Sequence, residues 1–94
     1  MTTLAEKRYM GHVAQLGCFL CHQLGYGHVA AQLHHVREGQ GMAQRAQNWL
    51  VVPLCDTHHA NSSPDGIHGQ RRAWKLAHLD EMDALAWVIE RIAK

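Results

Sequence analysis

The sequence is short of the features that mark secreted, membrane-spanning and strongly nucleic-acid-binding proteins. Its 94 residues include 3 cysteines, 2 prolines and 6% aromatic residues, and the formal net charge is +1. No run approaches the roughly 18 apolar residues that a membrane-spanning helix needs, and the first residues lack the apolar centre of a signal peptide. An odd number of cysteines cannot be fully paired in disulfides, which favours a reducing compartment and bound metal. We therefore expect a cytoplasmic protein with no membrane association.

Length and charge distribution set the next limits. A chain of 94 residues predicts one domain over residues 1–94, and small domains with few aromatic residues often rely on a metal or an oligomer for stability. The net charge is low for a nucleic-acid-binding protein, but the middle of the chain is mildly basic beside an acidic C-terminal segment. Its basic face could either meet phosphate or be a merely solvated surface. The candidate phosphate contacts are Arg37, Arg45, Arg71 and Arg72.

Local signals predict a helix at the start of the chain. Thr3 with Glu6 three positions later fits a capping box, so we predict a helix over residues 4–16 that Gly17 ends. Its predicted apolar stripe contains Leu4, Val13 and Leu16. The Cys-x-x-Cys segment that follows predicts a tight turn.

The middle of the chain predicts a β-hairpin followed by a short helix. Residues 29–36 and 49–54 have strand-like patterns, and Pro53 suits an edge or terminal position. In the first strand, His34 and His35 should point to opposite faces. Asp56 is the expected cap of the helix that carries His58 and His59.

Two further helices are predicted near the C-terminus, one over residues 70–77 and one that starts at Asp80. The apolar stripe predicted for the last helix is Met82, Leu85, Ile89 and Ile92. The three tryptophans, at positions 49, 74 and 87, are expected in the core.

Four residues have the spacing of a structural zinc site. Cys18 and Cys21 form Cys-x-x-Cys, and Cys55 and His58 form Cys-x-x-His, which is the usual pattern for two halves of a tetrahedral site. The other histidines that compete for the fourth position are His22 and His59. The alternative is that the cysteines are three unrelated buried thiols.

The chain has 9 histidines, more than one tetrahedral ion can use. His34 and His35 fall on the first predicted strand, Asn48 precedes the second, and His59 falls on the following helix. With this order of histidine, asparagine and histidine on strand, strand and helix, the chain resembles the HNH endonuclease superfamily and its ββα-metal motif.

A closer resemblance is to the Ref-like, RecA-dependent nuclease family of phages and prophages. It covers roughly residues 17–85. The stretches that carry it are Gly17-Cys18, Leu24-Gly25-Tyr26-Gly27, His34-His35-Val36-Arg37-Glu38-Gly39-Gln40-Gly41, Pro53-Leu54-Cys55, His58-His59 and Gly66-Ile67-His68-Gly69.

The resemblance implies a role for each residue of the motif. His34 would be a ligand of a catalytic Mg²⁺ or Mn²⁺ ion and His35 the general base that activates water, for which an imidazole suits neutral pH. His59 would be a second ligand, and Asn48 would brace the loop that carries the base. One helical turn after His59 the chain has Asn61, Ser62 and Ser63, so His68 is the expected substitute for a further ligand.

These expectations combine into one fold and two competing functions. We expect an α+β domain in which a zinc-braced ββα-metal (HNH) core lies between N- and C-terminal helices. The resemblance implies a DNA endonuclease of the bacterial cytoplasm, phage or prophage encoded and directed to DNA by a RecA filament. The alternative is a non-catalytic zinc module that binds DNA or a protein partner, which would not need the surplus histidines.

Overall fold

A computed structural model describes residues 2–37, 47–60 and 62–93 of the chain. It is a small α+β structure in which helices surround a two-stranded sheet. The elements in chain order are α1 (Leu4–Gln15), α2 (Phe19–Gln23), β1 (Gln32–His35), β2 (Val51–Leu54), α3 (Asp56–His59), α4 (Arg72–Ala77) and α5 (Glu81–Ile92). No helix within these described ranges is long and apolar enough to cross a membrane.

The predicted hairpin is confirmed, although both strands are shorter than expected. β1 and β2 pair antiparallel, with His34 opposite Val52 and His35 opposite Val51. The four residues of β2, Pro53 among them, are all buried, whereas β1 alternates. His34 is the buried member of its pair and His35 is half-buried, as the period-two geometry of a strand requires.

Both long helices begin at capping boxes. The Thr3 side chain accepts the Glu6 N–H and the Glu6 carboxylate accepts the Thr3 N–H, as predicted. Asp80 and Asp83 make the same reciprocal pair at the start of α5. Each pair satisfies backbone donors that the first helical turn leaves without a partner.

Two local predictions were wrong. The segment after Cys18 is not an isolated turn but the short helix α2, whose first turn is closed when the Cys18 sulfur accepts the Cys21 N–H at 3.4 Å. The cap of α3 is Cys55, not Asp56, which is the first helical residue and lies near the N-terminal end of the helix dipole.

The core is centred on the hairpin and on one face of α5. Its largest fully buried side chains include Trp74, Leu20, Leu54 and Val13. The inward face of α5 is Glu81, Ala84, Leu85 and Val88, joined by Trp87. These first four positions recur at i, i+3, i+4 and i+7, the helical period, but one of them is a glutamate.

The predicted apolar stripes were therefore only partly right. Met82 and Ile89 are about half exposed, and Leu4 is also on the surface. Trp49 is 43% exposed and packs against Tyr9, with 5.0 Å between ring centroids, whereas Trp74 and Trp87 are buried as expected. Helical spacing alone does not say which of two overlapping apolar faces meets the hairpin.

Candidate functional site

The four residues with zinc-ligand spacing lie together at the end of the hairpin. Cys18 and Cys21 come from the start of α2, and Cys55 and His58 from the turn between β2 and α3. His58 Nδ1 is 3.6 Å from the Cys18 sulfur, 3.4 Å from that of Cys21 and 3.3 Å from that of Cys55. The sulfurs of Cys21 and Cys55 are 3.6 Å apart.

These distances fit the edges of a tetrahedron around one ion. Zinc bonds of about 2.3 Å to sulfur and about 2.0 Å to nitrogen place neighbouring ligand atoms roughly 3.5 Å apart. Burial raises the pKa of Cys18 and Cys21 in the metal-free chain, and a bound cation favours the thiolate form that ligates it. The Cys3His site could bind a metal such as zinc.

The rival fourth ligands lie elsewhere. His22 is exposed and lies near the Trp87 ring, with 5.4 Å between centroids. His59 belongs to a second group of three imidazoles. The peptide between His58 and His59 is held because Trp74 Nε1 donates to the His58 carbonyl at 3.1 Å. The structure thus brings His58, and neither alternative, to the cysteines.

The second group consists of His34 from β1, His59 from α3 and His68 from the turn beyond it. His34 Nδ1 lies 3.2 Å from His68 Nε2, close to the ligand separation around a small ion with bonds of about 2.0 Å. The three ring centroids are 4.8 to 5.1 Å apart. Of the residues that the structure describes, these three form the other group able to hold a metal ion.

The turn over residues 62–66 delivers His68 to this group. The Ile67 N–H donates to the His58 carbonyl at 2.8 Å and the His68 N–H to the His59 carbonyl at 3.2 Å. Gly66 passes so close to α3 that a Cβ there would lie 1.9 Å from the Ala60 oxygen. Only glycine allows this approach, which explains why the Pro-Asp-Gly sequence precedes the histidine.

The electrostatics favour neutral imidazoles at His59 and His68. Burial, followed by the neighbouring imidazoles, lowers the pKa of His59. Burial is also the main cause that lowers the pKa of His68, with His34 and Arg37 adding to it. A neutral imidazole keeps a lone pair, so the residues present fit a divalent cation.

His35 lies beside this group but has a different partner. The two histidines of β1 line one open pocket of about 200 Å³ with Leu33, Arg37, His59 and His68. His35 Nε2 is 3.0 Å from Asn48 Oδ1. The amide nitrogen of Asn48 donates to the Glu6 carboxylate at 3.0 Å and to the Thr2 hydroxyl at 3.3 Å. Asn48 therefore connects His35 to the start of α1.

One residue of this region was missed by the sequence analysis. Glu81, at the start of α5, is 3% exposed and contacts His34 Nε2. Its carboxylate also accepts the Arg37 N–H at 2.9 Å. The sequence contained one sign of its burial: Glu81 has the helical spacing of the apolar residues Ala84, Leu85 and Val88.

The basic residues are only partly gathered at the site. Arg37 and Arg71 line a common depression with Asp80 and Glu81, and both are exposed. Arg72 is tied to Asp65 by two hydrogen bonds of 2.9 and 3.2 Å. Arg45 lies outside the described residues.

Comparisons with known proteins give one match. Residues 2–93 match the model of a family described as "Recombination enhancement, RecA-dependent nuclease". The match includes both groups of candidate ligands, and it also includes His35 and Asn48. No curated protein and no solved structure matched the chain.

Proposed function

Because this chain belongs to the recombination-enhancement, RecA-dependent nuclease family, we propose that it is a metal-dependent DNA endonuclease of the HNH type. The family name indicates a nuclease that acts with RecA in recombination. The observation that carries the finer assignment is the convergence of His34, His59 and His68 beside His35 on a strand–strand–helix unit.

The orientation of Asn48 assigns the basic nitrogen of His35. Hydrogen bonds, those from Thr3 first and that from Asn48 after them, lower the pKa of Glu6, so Glu6 is an ionised acceptor at neutral pH. The Asn48 amide nitrogen must then face Glu6, which turns Oδ1 toward His35. An amide oxygen only accepts, so His35 Nε2 is the donor of this hydrogen bond, and in the neutral imidazole the lone pair is on Nδ1.

That lone pair defines the role of His35 in hydrolysis. His35 Nδ1 takes a proton from water while the water oxygen forms its bond to phosphorus and the bond from phosphorus to the 3′-oxygen breaks. The 3′-oxygen leaves with the electron pair of that bond and takes up a proton from solvent. A divalent ion held by His34, His59 and His68 would stabilise the negative charge that develops on the phosphate. His34 is buried and His59 is half-buried, and their ligand nitrogens lie within 4.8 Å of each other and of that of His68.

The Cys3His site has a separate role in this proposal. A zinc site closed by four protein ligands is structural, and here it would hold α2 against the junction of β2 and α3. That junction continues into His59. Zinc would thereby fix the helix that supplies one ligand of the catalytic ion.

DNA and a RecA filament are the proposed substrate and targeting partner. The net charge of +1 and the few exposed arginines near the pocket support weak binding to bare DNA, since affinity grows with the number of neutralised phosphates. A filament that presents the DNA would supply the missing affinity.

The proposal is tested by a cleavage assay with and without a RecA filament, in Mg²⁺ and in Mn²⁺. We expect wild-type protein to cut DNA and His35→Ala to lose about 10²- to 10⁴-fold in rate while keeping its zinc content and melting temperature. His12→Ala is the control, because His12 is exposed on α1 and lies outside both ligand groups.

The outcomes separate the parts of the proposal. Cleavage that is equal with and without the filament removes the targeting partner but leaves the nuclease. Wild-type activity in His35→Ala refutes the HNH assignment of this residue. A zinc-loaded wild-type protein that cuts no DNA under any of these conditions favours the non-catalytic binding module.

A further inference from the structure

Glu81 is an acidic residue on the buried face of a helix. It is 3% exposed, and it shares that face of α5 with Ala84, Leu85 and Val88. A carboxylate withdrawn from water is costly unless it is paired and hydrogen-bonded. The first turn of a helix favours an acidic residue, but an exposed one would serve equally well, as Asp83 does.

The partners of Glu81 account for its position. Its Oε2 contacts His34 Nε2, and the same oxygen accepts the Arg37 N–H at 2.9 Å. The three residues thus connect the start of α5 to the end of β1. His34 is itself 2% exposed, so both members of the contact are shielded from water.

This contact decides which nitrogen of His34 is available to a metal ion. A carboxylate oxygen that already accepts the Arg37 N–H also accepts from His34, so Nε2 carries the imidazole proton. In the neutral imidazole that a metal ligand requires, His34 Nδ1 then keeps its lone pair, and it is this nitrogen that lies 3.2 Å from His68 Nε2. With the opposite tautomer, a hydrogen would occupy the place of the ion.

We propose that Glu81 is a positioning residue of the catalytic metal centre, which holds His34 with its Nδ1 lone pair toward the ion. The inference rests on the proposed function of His34 as a ligand and adds α5 to the elements that build the site. Carboxylate partners of ligand histidines fix the ring orientation and raise the basicity of the ligand nitrogen. α5 would therefore contribute to ion affinity without touching the ion.

The first test reads the tautomer of His34 in the absence of DNA. Long-range ¹H–¹⁵N correlation spectra of protein with one zinc per chain distinguish a proton on Nε2 from one on Nδ1. We expect Nε2–H in wild type and a mixture of tautomers in Glu81→Ala. Glu81→Gln should keep Nε2–H, because an amide oxygen can still accept from both His34 and Arg37.

The second test measures Mn²⁺ affinity by calorimetry on the same zinc-loaded proteins. Loss of such a carboxylate typically costs about 10- to 100-fold in metal affinity, so we expect this loss in Glu81→Ala and a smaller one in Glu81→Gln. Cleavage by both variants should recover as the Mn²⁺ concentration is raised, which a purely structural defect would not do.

Asp80→Ala is the matched control. Asp80 caps the same helix by accepting the Met82 and Asp83 N–H groups at 3.0 and 3.1 Å. Its loss should lower the melting temperature and leave the His34 tautomer and the Mn²⁺ affinity unchanged. If Glu81→Ala does not fold, the tautomer is read in the wild-type protein and the change in Mn²⁺ affinity in Glu81→Gln.

Two results would overturn the inference: a wild-type His34 that carries its proton on Nδ1, or Mn²⁺ affinities of the folded Glu81 variants that equal the wild-type value. Both readouts are independent of cleavage. An inactive wild-type protein with the expected tautomer and affinities would refute the nuclease and keep the role of Glu81. A wild-type protein that cuts DNA, with Glu81 variants of unchanged tautomer and Mn²⁺ affinity, would keep the nuclease and refute the role of Glu81.

Discussion

The imidazole of His35 is joined to α1 through the side chain of Asn48. Asn48 Oδ1 lies 3.0 Å from His35 Nε2, and Asn48 Nδ2 lies 3.0 Å from the carboxylate of Glu6. Glu6 is at the same time the reciprocal partner in the capping box of α1. The orientation of the proposed base is therefore set by a helix that contributes no residue to the pocket.

Asn48→Ala should lower the rate of DNA cleavage by less than the loss of the base itself. Without the amide oxygen, His35 is free to rotate and to exchange tautomers, but it still carries a basic nitrogen. The rate should thus fall by less than the roughly 10²- to 10⁴-fold expected for His35→Ala. The control is Gln47→Ala, an exposed neighbour; a wild-type rate in Asn48→Ala would show that the amide does not position the base.

His34→Ala should lose cleavage and regain part of it when the Mg²⁺ or Mn²⁺ concentration is raised. Removing one of three ligands weakens ion binding, whereas His35→Ala removes a group that no ion concentration replaces. The measurement is the cleavage rate as a function of ion concentration for both variants. Equal responses of the two variants would refute the division of roles between the neighbouring histidines.

Cys21→Ser should unfold the protein or sharply reduce its yield. If the Cys3His site holds zinc, the binding free energy is part of the folding free energy. The neighbouring His22→Ala is the control, since His22 is exposed and lies against Trp87 rather than at the site. Melting curves with and without a strong chelator check this, and elemental analysis should give zinc in His22→Ala. A zinc-free protein with a chelator-independent melting curve contradicts the prediction.

The stability of the protein should depend on pH with opposite signs in its metal-free and zinc-loaded forms. In the metal-free chain, burial raises the pKa of the Cys18 and Cys21 thiols. The unfolded chain loses its thiol protons first, above about pH 8.5. The stability of the metal-free fold is therefore retained below that pH and lost as the pH rises.

Zinc should reverse this dependence, because the cysteines of the Cys3His site would bind it as thiolates in the folded state. Below about pH 8.5 the unfolded chain then binds more protons than the folded one, so stability rises with pH up to that value. Denaturant unfolding with and without zinc, from about pH 6 to about pH 10, spans the cysteine pKa of roughly 8.5. It measures how the free energy of unfolding changes with pH in each form. Parallel pH profiles of the two forms would show that the cysteines do not bind the metal.

Binding to bare duplex DNA should be weak and should depend strongly on salt. Arg37→Ala and Arg71→Ala should each weaken it and reduce the salt slope by about one, if each arginine contacts one phosphate. Arg91→Ala is the control, because Arg91 lies over the Trp87 ring at 4.2 Å near the far end of α5. Tight binding that is insensitive to salt would contradict the prediction.

The sequence by itself determined the features that depend on neighbours along the chain. The capping box of Thr3 and Glu6 and the Cys-x-x-Cys and Cys-x-x-His pairs were readable, because each is a contact or a spacing within a few residues. The two strands of the hairpin were readable from their own local patterns, although they pair across 16 to 22 positions of the chain. The opposite directions of His34 and His35 followed from the alternation of strand side chains, but which of the two is buried did not. The family was also recognisable from these motifs.

Only the tertiary structure decided how distant segments meet. It selected His58 over His22 as the neighbour of the cysteines, and it placed Trp49, Met82 and Ile89 on the surface against expectation. It also buried Glu81 against His34, a contact across 47 positions of the chain. Helical periodicity gives the relative positions of side chains on one helix, but the rotation of that helix is set by what packs against it, which no local pattern contains.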